Sequence, residues 1–300
     1  MSVPRARSTP VPGAEGTPTV AGSGTPSARN YERLSRLVKD EIGVKLPANK
    51  WQMVEGRLRR RHLALGLATL EDYFRHIFDQ GGLESELGAI LDALTTNTTD
   101  FFREPDHFRL LESRIVPQAL LQRGPARQRQ GYRVWSAACS TGAEAYSIAM
   151  VLQDIASKSA QFSYLILGTD INTEVLATAR QAIYPLAGVA PVPKDYRHRF
   201  LLMGSGATAG QVRIVPELRA RVNFARLNLM GDSHALDRDI DLIFLRNVLI
   251  YFEPRDQAQV IARMVAHLAP AGHLVVGHSE SMVVRHELLK QIAPAVFQKR

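Results

Sequence analysis

The chain holds one cysteine in 300 residues, Cys139. A single thiol excludes an intrachain disulfide and any cysteine-built zinc site, and it suits a reducing, cytoplasmic setting. No apolar run approaches the roughly 18–20 residues of a membrane span, so no membrane insertion is expected. The nine histidines are scattered without H-E-x-x-H or other paired spacing, so no metal site is read and most are taken as surface or capping residues. No Walker lysine, no nucleophile–histidine–acid cluster and no internal repeat is present. Residues 1–29 lack an apolar core of the secretory kind; rich in Pro, Gly, Ser, Thr and Ala, they read as a disordered tail.

The remainder is ordinary globular material, 45% apolar and 22% charged. Lys and Arg outnumber Asp and Glu by 37 to 29, a net +8 that favours anionic partners without naming them.

From Asn30 to about Thr95 the periodicity is helical. Tyr31, Leu34, Leu37, Val38 and Ile42 recur at threes and fours until Gly43. A second helix begins near Pro47. At about 100° per residue Trp51, Val54, Leu58 and Leu65 share an apolar arc of about 60°. Lys50, Arg57, Arg60 and Arg61 share a neighbouring cationic arc, with no acid among them, which reads as a docking face for an acidic protein or nucleic acid against the plainer alternative of a solvated flank. Two more helices fall near Leu70–Phe78 and Leu83–Leu94. Thr95–Phe108, TTNTTDFFREPDHF, opposes helix continuation and supplies hydroxyl and amide groups for a cleft wall or a helix cap.

From Tyr132 strands and helices alternate. Strands are expected at Arg133–Ala138, Ser163–Thr169, Val222–Ala225, Ile240–Leu245 and His273–Gly277, with helices at Ala143–Leu152, Glu174–Gln181 and Pro254–Leu268. Continuous apolar strands followed by helices predict a parallel sheet covered on both faces, an α/β fold. Between Pro185 and Ala220, GSGATAG (Gly204–Gly210) and the alternating QVRIV read as a hairpin-bearing β insert, about residues 188–220. The expected organisation is a tail (1–29), a helical domain (30–95) and an α/β domain (96–300).

Ligands of open parallel sheets sit beyond the carboxyl ends of the strands. Those ends carry Cys139–Gly142 with Glu144, Asp170 with Asn172, Asn228-Leu229, and Arg246-Asn247-Val248. An acid such as Asp170 accepts both ribose hydroxyls of an adenosine cofactor, NAD included. The first loop, however, has one glycine where a pyrophosphate needs G-x-G-x-x-G, so a nucleoside without phosphates fits better, and S-adenosylmethionine is one. Cys139 in that loop reads as a packing residue. His278 reads as either a cleft or a structural residue.

The segments TTNTTDFFRE, RVWSAACSTGAEAYSIAM, TDINTEVLATAR, NLM, FLRNVLIYF and LVVGHSES occur in one order over most of residues 30–280. In them the chain resembles the CheR-type chemotaxis-receptor glutamate O-methyltransferases. The resemblance implies a class I methyltransferase, Rossmann-like sheet behind an all-α domain, with S-adenosylmethionine as methyl donor, S-adenosylhomocysteine as product and no metal. It implies that Asn97, Thr99, Arg103, Glu144, Asp170, Asn228, Leu229, Asn247 and Val248 hold the cofactor, with Arg103 and Tyr251 at the site of methyl transfer. It implies a docking role for Lys50, Arg57, Arg60 and Arg61 on cytoplasmic receptor helices. It also implies a β insert, marked by Gly204, Gly206 and Gly210, that grips a tethering peptide at a receptor C-terminus. The expected protein is a cytoplasmic monomer recruited to membrane receptor arrays, with no nucleic-acid partner. Alternatives are a nucleic-acid methyltransferase, for which the N-P-P-Y type of motif is missing, a non-catalytic docking module, and a dehydrogenase.

Overall fold

A computed structural model describes residues 28–122, 130–159, 161–231, 234, 236 and 238–300. Residues 1–27 of the expected tail lie outside the described residues. Its last two residues, Ala28 and Arg29, already belong to the first helix, which corrects the start of the helical part.

Helices α1 (Ala28–Ile42), α2 (Trp51–Ala64), α3 (Leu70–Asp79) and α4 (Leu83–Leu94) enclose their own core of Leu34, Val38, Val54, Leu58, Tyr73, Phe74, Ile77 and Ile90. α3 starts at a capping box in which Thr69 and Asp72 satisfy each other's backbone N–H. Two expectations for α2 fail. Lys50 precedes the helix in a 3₁₀ turn, and Leu65 follows it, more than a third exposed. His62 takes the inner position instead, its Nδ1 3.0 Å from the Leu67 carbonyl. The helix ends at Ala64, so Leu65 leaves the helical arc.

The next helix, α5 (Pro105–Leu110), runs through a π turn (Leu111–Ile115) into α6 (Val116–Gln122). Then come β1 (Tyr132–Ala137), α7 (Ala143–Lys158), β2 (Tyr164–Asp170), α8 (Thr173–Gln181), β3 (Ile183–Pro185), α9 (Lys194–Phe200), β4 (Leu201–Met203), β5 (Gln211–Ile214), α10 (Pro216–Arg219), β6 (Val222–Arg226), β7 (Ile240–Leu245), α11 (Pro254–His267), β8 (Leu268–Val276), β9 (Leu289–Ala293) and β10 (Val296–Lys299). The main sheet has the order β6-β2-β1-β7-β8-β10-β9. Its first five strands are parallel and β10 runs antiparallel to β8 and β9. The C-terminal β9–β10 hairpin was not anticipated. Every residue of β7, IDLIFL, is buried, as a central parallel strand under two helical layers requires. Order reverses between β1 and β7, which places the ligand crevice at the ends of β1, β2 and β7.

The β insert is a three-stranded sheet, β3-β5-β4. It begins at Ile183, earlier than expected, because β3 pairs with β5 through Tyr184 and Val212. Gly204, Gly206 and Gly210 build its turn. Gly206 and Gly210 have φ of 55° and 83°, and a Cβ on Gly204 would lie 2.1 Å from the Thr208 carbonyl. Among the described residues no helix is long and apolar enough to cross a membrane.

Candidate functional site

The turn from β1 into α7 sets the floor of the crevice. Ala138, Ser140 and Gly142 all adopt left-handed backbone, with φ of 58°, 51° and 84°. Alternation of this kind folds the chain sharply, and the turn is fixed from within, the Cys139 N–H donating to the Thr169 carbonyl and the Gly142 N–H to the Cys139 carbonyl. Only glycine fits at 142, where a Cβ would approach Ala179 Cβ to 2.9 Å. Cys139, between them, is buried beside Gly168 and takes no part in lining the cleft. Burial pushes its thiol well above the ordinary range, so it is held as the neutral, unreactive form.

Asp170 ends β2. Its carboxylate accepts the Ser140 N–H at 2.8 Å and the Asn172 N–H at 3.0 Å. Burial nevertheless raises its pKa, the backbone hydrogen bonds offsetting only part of that cost. Asn172 bolts the two parts of the chain together. Its Oδ1 accepts the Glu174 and Val175 N–H groups and so caps α8, while its Nδ2 donates to the Asp92 carbonyl and Thr95 Oγ1, both at 2.8 Å.

The TTNTTDFFRE segment lies over this floor. Ser140 Oγ donates to the Asn97 carbonyl at 2.7 Å, and Ser147 Oγ accepts the Phe102 N–H at 3.0 Å. Phe101 packs edge-on against Tyr184, and Phe102 packs on Phe108. These two buried rings clamp the loop, with Phe102 and Glu104 in left-handed backbone. Thr95–Asp100 and Arg103 are thereby turned into the cleft.

Arg246, at the end of β7, is the charge at the centre. Its side chain is 2% exposed and contacts Glu144 Oε2 at 3.1 Å, Glu104 Oε2 at 3.0 Å and the Arg103 carbonyl at 2.6 Å. The guanidinium also lies near the Phe108 and Phe244 rings. Glu144 additionally accepts the Ser136 hydroxyl at 2.7 Å. Burial raises the Glu144 pKa despite Arg246, whereas at Glu104 burial is outweighed by Arg246 and the carboxyl falls below its ordinary value. Next along, Asn247 has φ of 58°. Its N–H, the Gly277 N–H and the Ile250 N–H all donate to the buried carboxylate of Glu280, which holds the RNVLIY turn in place.

One cleft of about 1000 Å³, counting the solvent at its mouth, gathers these elements. Asn97, Thr99, Arg103, Glu144, Asp170, Asn228, Leu229, Asn247, Val248 and Tyr251 all line it. Not every side chain is free. Asn228 Nδ2 donates to the Glu41 carbonyl at 2.6 Å and its Oδ1 accepts the Met230 N–H, so this amide also holds the end of α1 in place. Ser140 and Arg246, both at the expected strand ends, line the cleft as well, and so do Ile42, Val44 and Phe252, which the sequence did not point to. Ile42 and Val44 look like ordinary core residues in sequence, and Arg246 stood in a strand-end triplet whose burial the sequence does not state. The insert glycines and the cationic positions do not line it.

The cationic flank of α2 is partly committed. Arg61 makes a two-pronged pair with the buried Glu86, at 2.5 and 2.6 Å, and Arg57 donates to the Leu94 and Thr95 carbonyls. The acid that this flank of α2 lacks comes from α4. Lys50 and Arg60 remain exposed.

The donor set fits S-adenosylmethionine, which carries a sulfonium and an ammonium on an adenosine. Two buried carboxylates with raised pKa values, Glu144 and Asp170, would gain from a cation and from hydroxyl donors, and Ile42, Val44, Leu229, Val248 and Phe252 give an apolar wall for a base. The family description "CheR methyltransferase, SAM binding domain" matches residues 97–296, and "CheR methyltransferase, all-alpha domain" matches residues 29–95. Chemotaxis protein methyltransferase 2 of Pseudomonas aeruginosa is 41% identical over 266 residues, 89% of this chain and 90% of that one. The chemotaxis protein methyltransferase of Escherichia coli K12 is 39% identical over 256 residues, 85% of each chain. The cofactor is S-adenosylmethionine, and the chain belongs to the CheR family of methyltransferases.

Proposed function

We propose that the protein transfers the methyl group to glutamate carboxylates of chemoreceptors, forming glutamyl methyl esters in chemotactic adaptation. One observation carries the reading: the same cleft is lined by the strand-end carboxylates and by Arg103 and Tyr251. The cofactor supplies an electrophilic methyl on a positive sulfur. Attack by a carboxylate joins opposite charges into neutral products, so positioning and exclusion of water favour it more than any oxyanion hole. A glutamate is already ionised at neutral pH and needs no strong base.

Glu144 and Asp170 hold the amino-acid and ribose ends, and the clamped TTNTTDFFR loop covers them. Among the described residues Arg103 is tied to the protein by one side-chain bond, Nη1 to the Thr98 carbonyl at 3.2 Å, which leaves most of its guanidinium to orient an incoming carboxylate. Lys50 and Arg60, flanked by the partly committed Arg57 and Arg61, offer an electropositive face to acidic receptor helices. The edge strand β4 exposes Leu202 and Met203 and suits addition of a receptor's C-terminal peptide as a further strand.

Arg103→Ala tests the central assignment. Turnover on receptor fragments, or cofactor affinity, is expected to fall by about tenfold or more, the worth of a charge-assisted bond. Unchanged values of both would remove Arg103 from the site.

A further inference from the structure

Beside Arg246, three ligating side chains that do not line the cofactor cleft converge. Glu104 and His107 stand one turn apart at the start of α5, and His278 arrives from the 3₁₀ turn that follows β8 (His278–Val283). One ligand atom from each lies within 4.8 Å of the others. His107 Nδ1 is 3.4 Å from Glu104 Oε2, and the two imidazoles face each other with centroids 4.6 Å apart. His107 is 2% exposed, yet among the described residues neither ring nitrogen has a hydrogen-bond partner. Buried polar atoms without partners are uncommon in folded proteins. Glu104 Oε2 lacks a hydrogen-bond partner too, its company being the Arg246 ion pair. His278 is exposed, which opens the cluster to solvent.

We propose that Glu104, His107 and His278 form a binding site for a divalent transition cation of the zinc type, and that its occupancy opposes cofactor binding. Two imidazoles and one carboxylate, with water in the fourth place, form a ligand set that zinc accepts, whereas magnesium and calcium prefer oxygen alone. Ligand atoms must draw in from as much as 4.8 Å to the roughly 3.3 Å between neighbours around tetrahedral zinc. The exposed His278 supplies that movement.

Arg246 stands against a cation here, and this opposition gives the site its consequence. A bound ion takes Glu104 away from the Arg246 guanidinium and from Asn247 Nδ2, which donates to Glu104 Oε1 at 3.4 Å. Arg246 and Asn247 both line the cofactor cleft. The ion therefore loosens residues that shape that cleft, and by linkage cofactor and ion weaken each other by the same factor.

Calorimetry of the full chain with zinc chloride tests this, after chelator treatment, alone and with saturating S-adenosylhomocysteine, alongside cobalt(II) titration read by its visible absorption. One equivalent of zinc is expected, with affinity at least about tenfold lower when S-adenosylhomocysteine is bound, and intense cobalt bands of low coordination number. His278→Ala, at an exposed position, should lower zinc affinity by about tenfold or more and abolish the antagonism. His198→Ala, on exposed α9, should change neither. Absence of stoichiometric binding, binding indifferent to His278→Ala, or zinc affinity equal with and without S-adenosylhomocysteine would each overturn the proposal.

Discussion

Replacing Arg246 with methionine would leave two carboxylates, Glu104 and Glu144, without the guanidinium that separates them. The methionine can fill the apolar space beside Phe108 and Phe244, so loss of packing is small and loss of charge dominates. Breaking a buried ion pair by removing one partner costs about 3–5 kcal/mol, because the other partner stays buried and uncompensated. The Arg103 carbonyl also loses its donor. Against a total stability of about 5–15 kcal/mol this is a large fraction. For an α/β part of this size it lowers Tm by about 6–20 °C. Thermal unfolding followed by circular dichroism at pH 7 measures it. The triple variant Arg246→Met, Glu104→Gln, Glu144→Gln removes the stranded charges and should recover most of the loss. A single variant melting within about 2 °C of the parent, or a triple variant no better than the single, would refute the assignment of Arg246 as the counter-charge that holds the cleft together.

Glu144→Gln keeps the volume and an acceptor for the Ser136 hydroxyl but removes the charge, so cofactor affinity by calorimetry should fall about 10–100-fold; an unchanged Kd would mean that Glu144 does not meet the cofactor's cationic end. Asn172→Ala removes the cap of α8 and both bonds to the end of α4, and should cost about 2 kcal/mol in urea unfolding. Asn172→Asp retains the cap acceptors alone and should recover about half of it. Burial, with a smaller push from Arg114, holds the His273 ring down at about 4. Both folded and unfolded chains have it neutral at pH 7. Below the unfolded value near 6.5 only the unfolded chain takes up the proton, so stability drains away between about pH 6.5 and 4, by about 3 kcal/mol from this residue. His273→Leu should flatten that part of the stability profile; an unaltered acid limb would show that the ring is protonated in the fold.

The strand ends were legible because a parallel sheet puts its chemistry at one edge, and loops that return a ligand-facing residue after each strand carry that order in the chain. Asp170 and Glu144 could be found in this way. Other parts were hidden because their meaning lies in distant pairs. Arg61 reads as a free surface cation until Glu86, brought by α4, closes on it. Arg246 reads as one more charge until Glu104 and Glu144 meet it from two other elements. Glu280 looks like a polar residue in a turn, yet three backbone N–H groups converge on it. The β9–β10 hairpin was missed because its strands are short and amphipathic, and β10 is held on one side by the distant β8. His62 displaced Leu65 because helix α2 stops at Ala64, a boundary that an angular pattern does not mark.

Transfer of radiolabelled methyl from S-adenosylmethionine to cytoplasmic receptor fragments, with and without their C-terminal tails, bears most directly on the proposed reaction. Label is expected on glutamate, released by mild base as methanol and greatly reduced with Arg103→Ala. Label that resists base, label appearing on nucleic acid instead, or no label on any receptor fragment while the cofactor binds normally would contradict it.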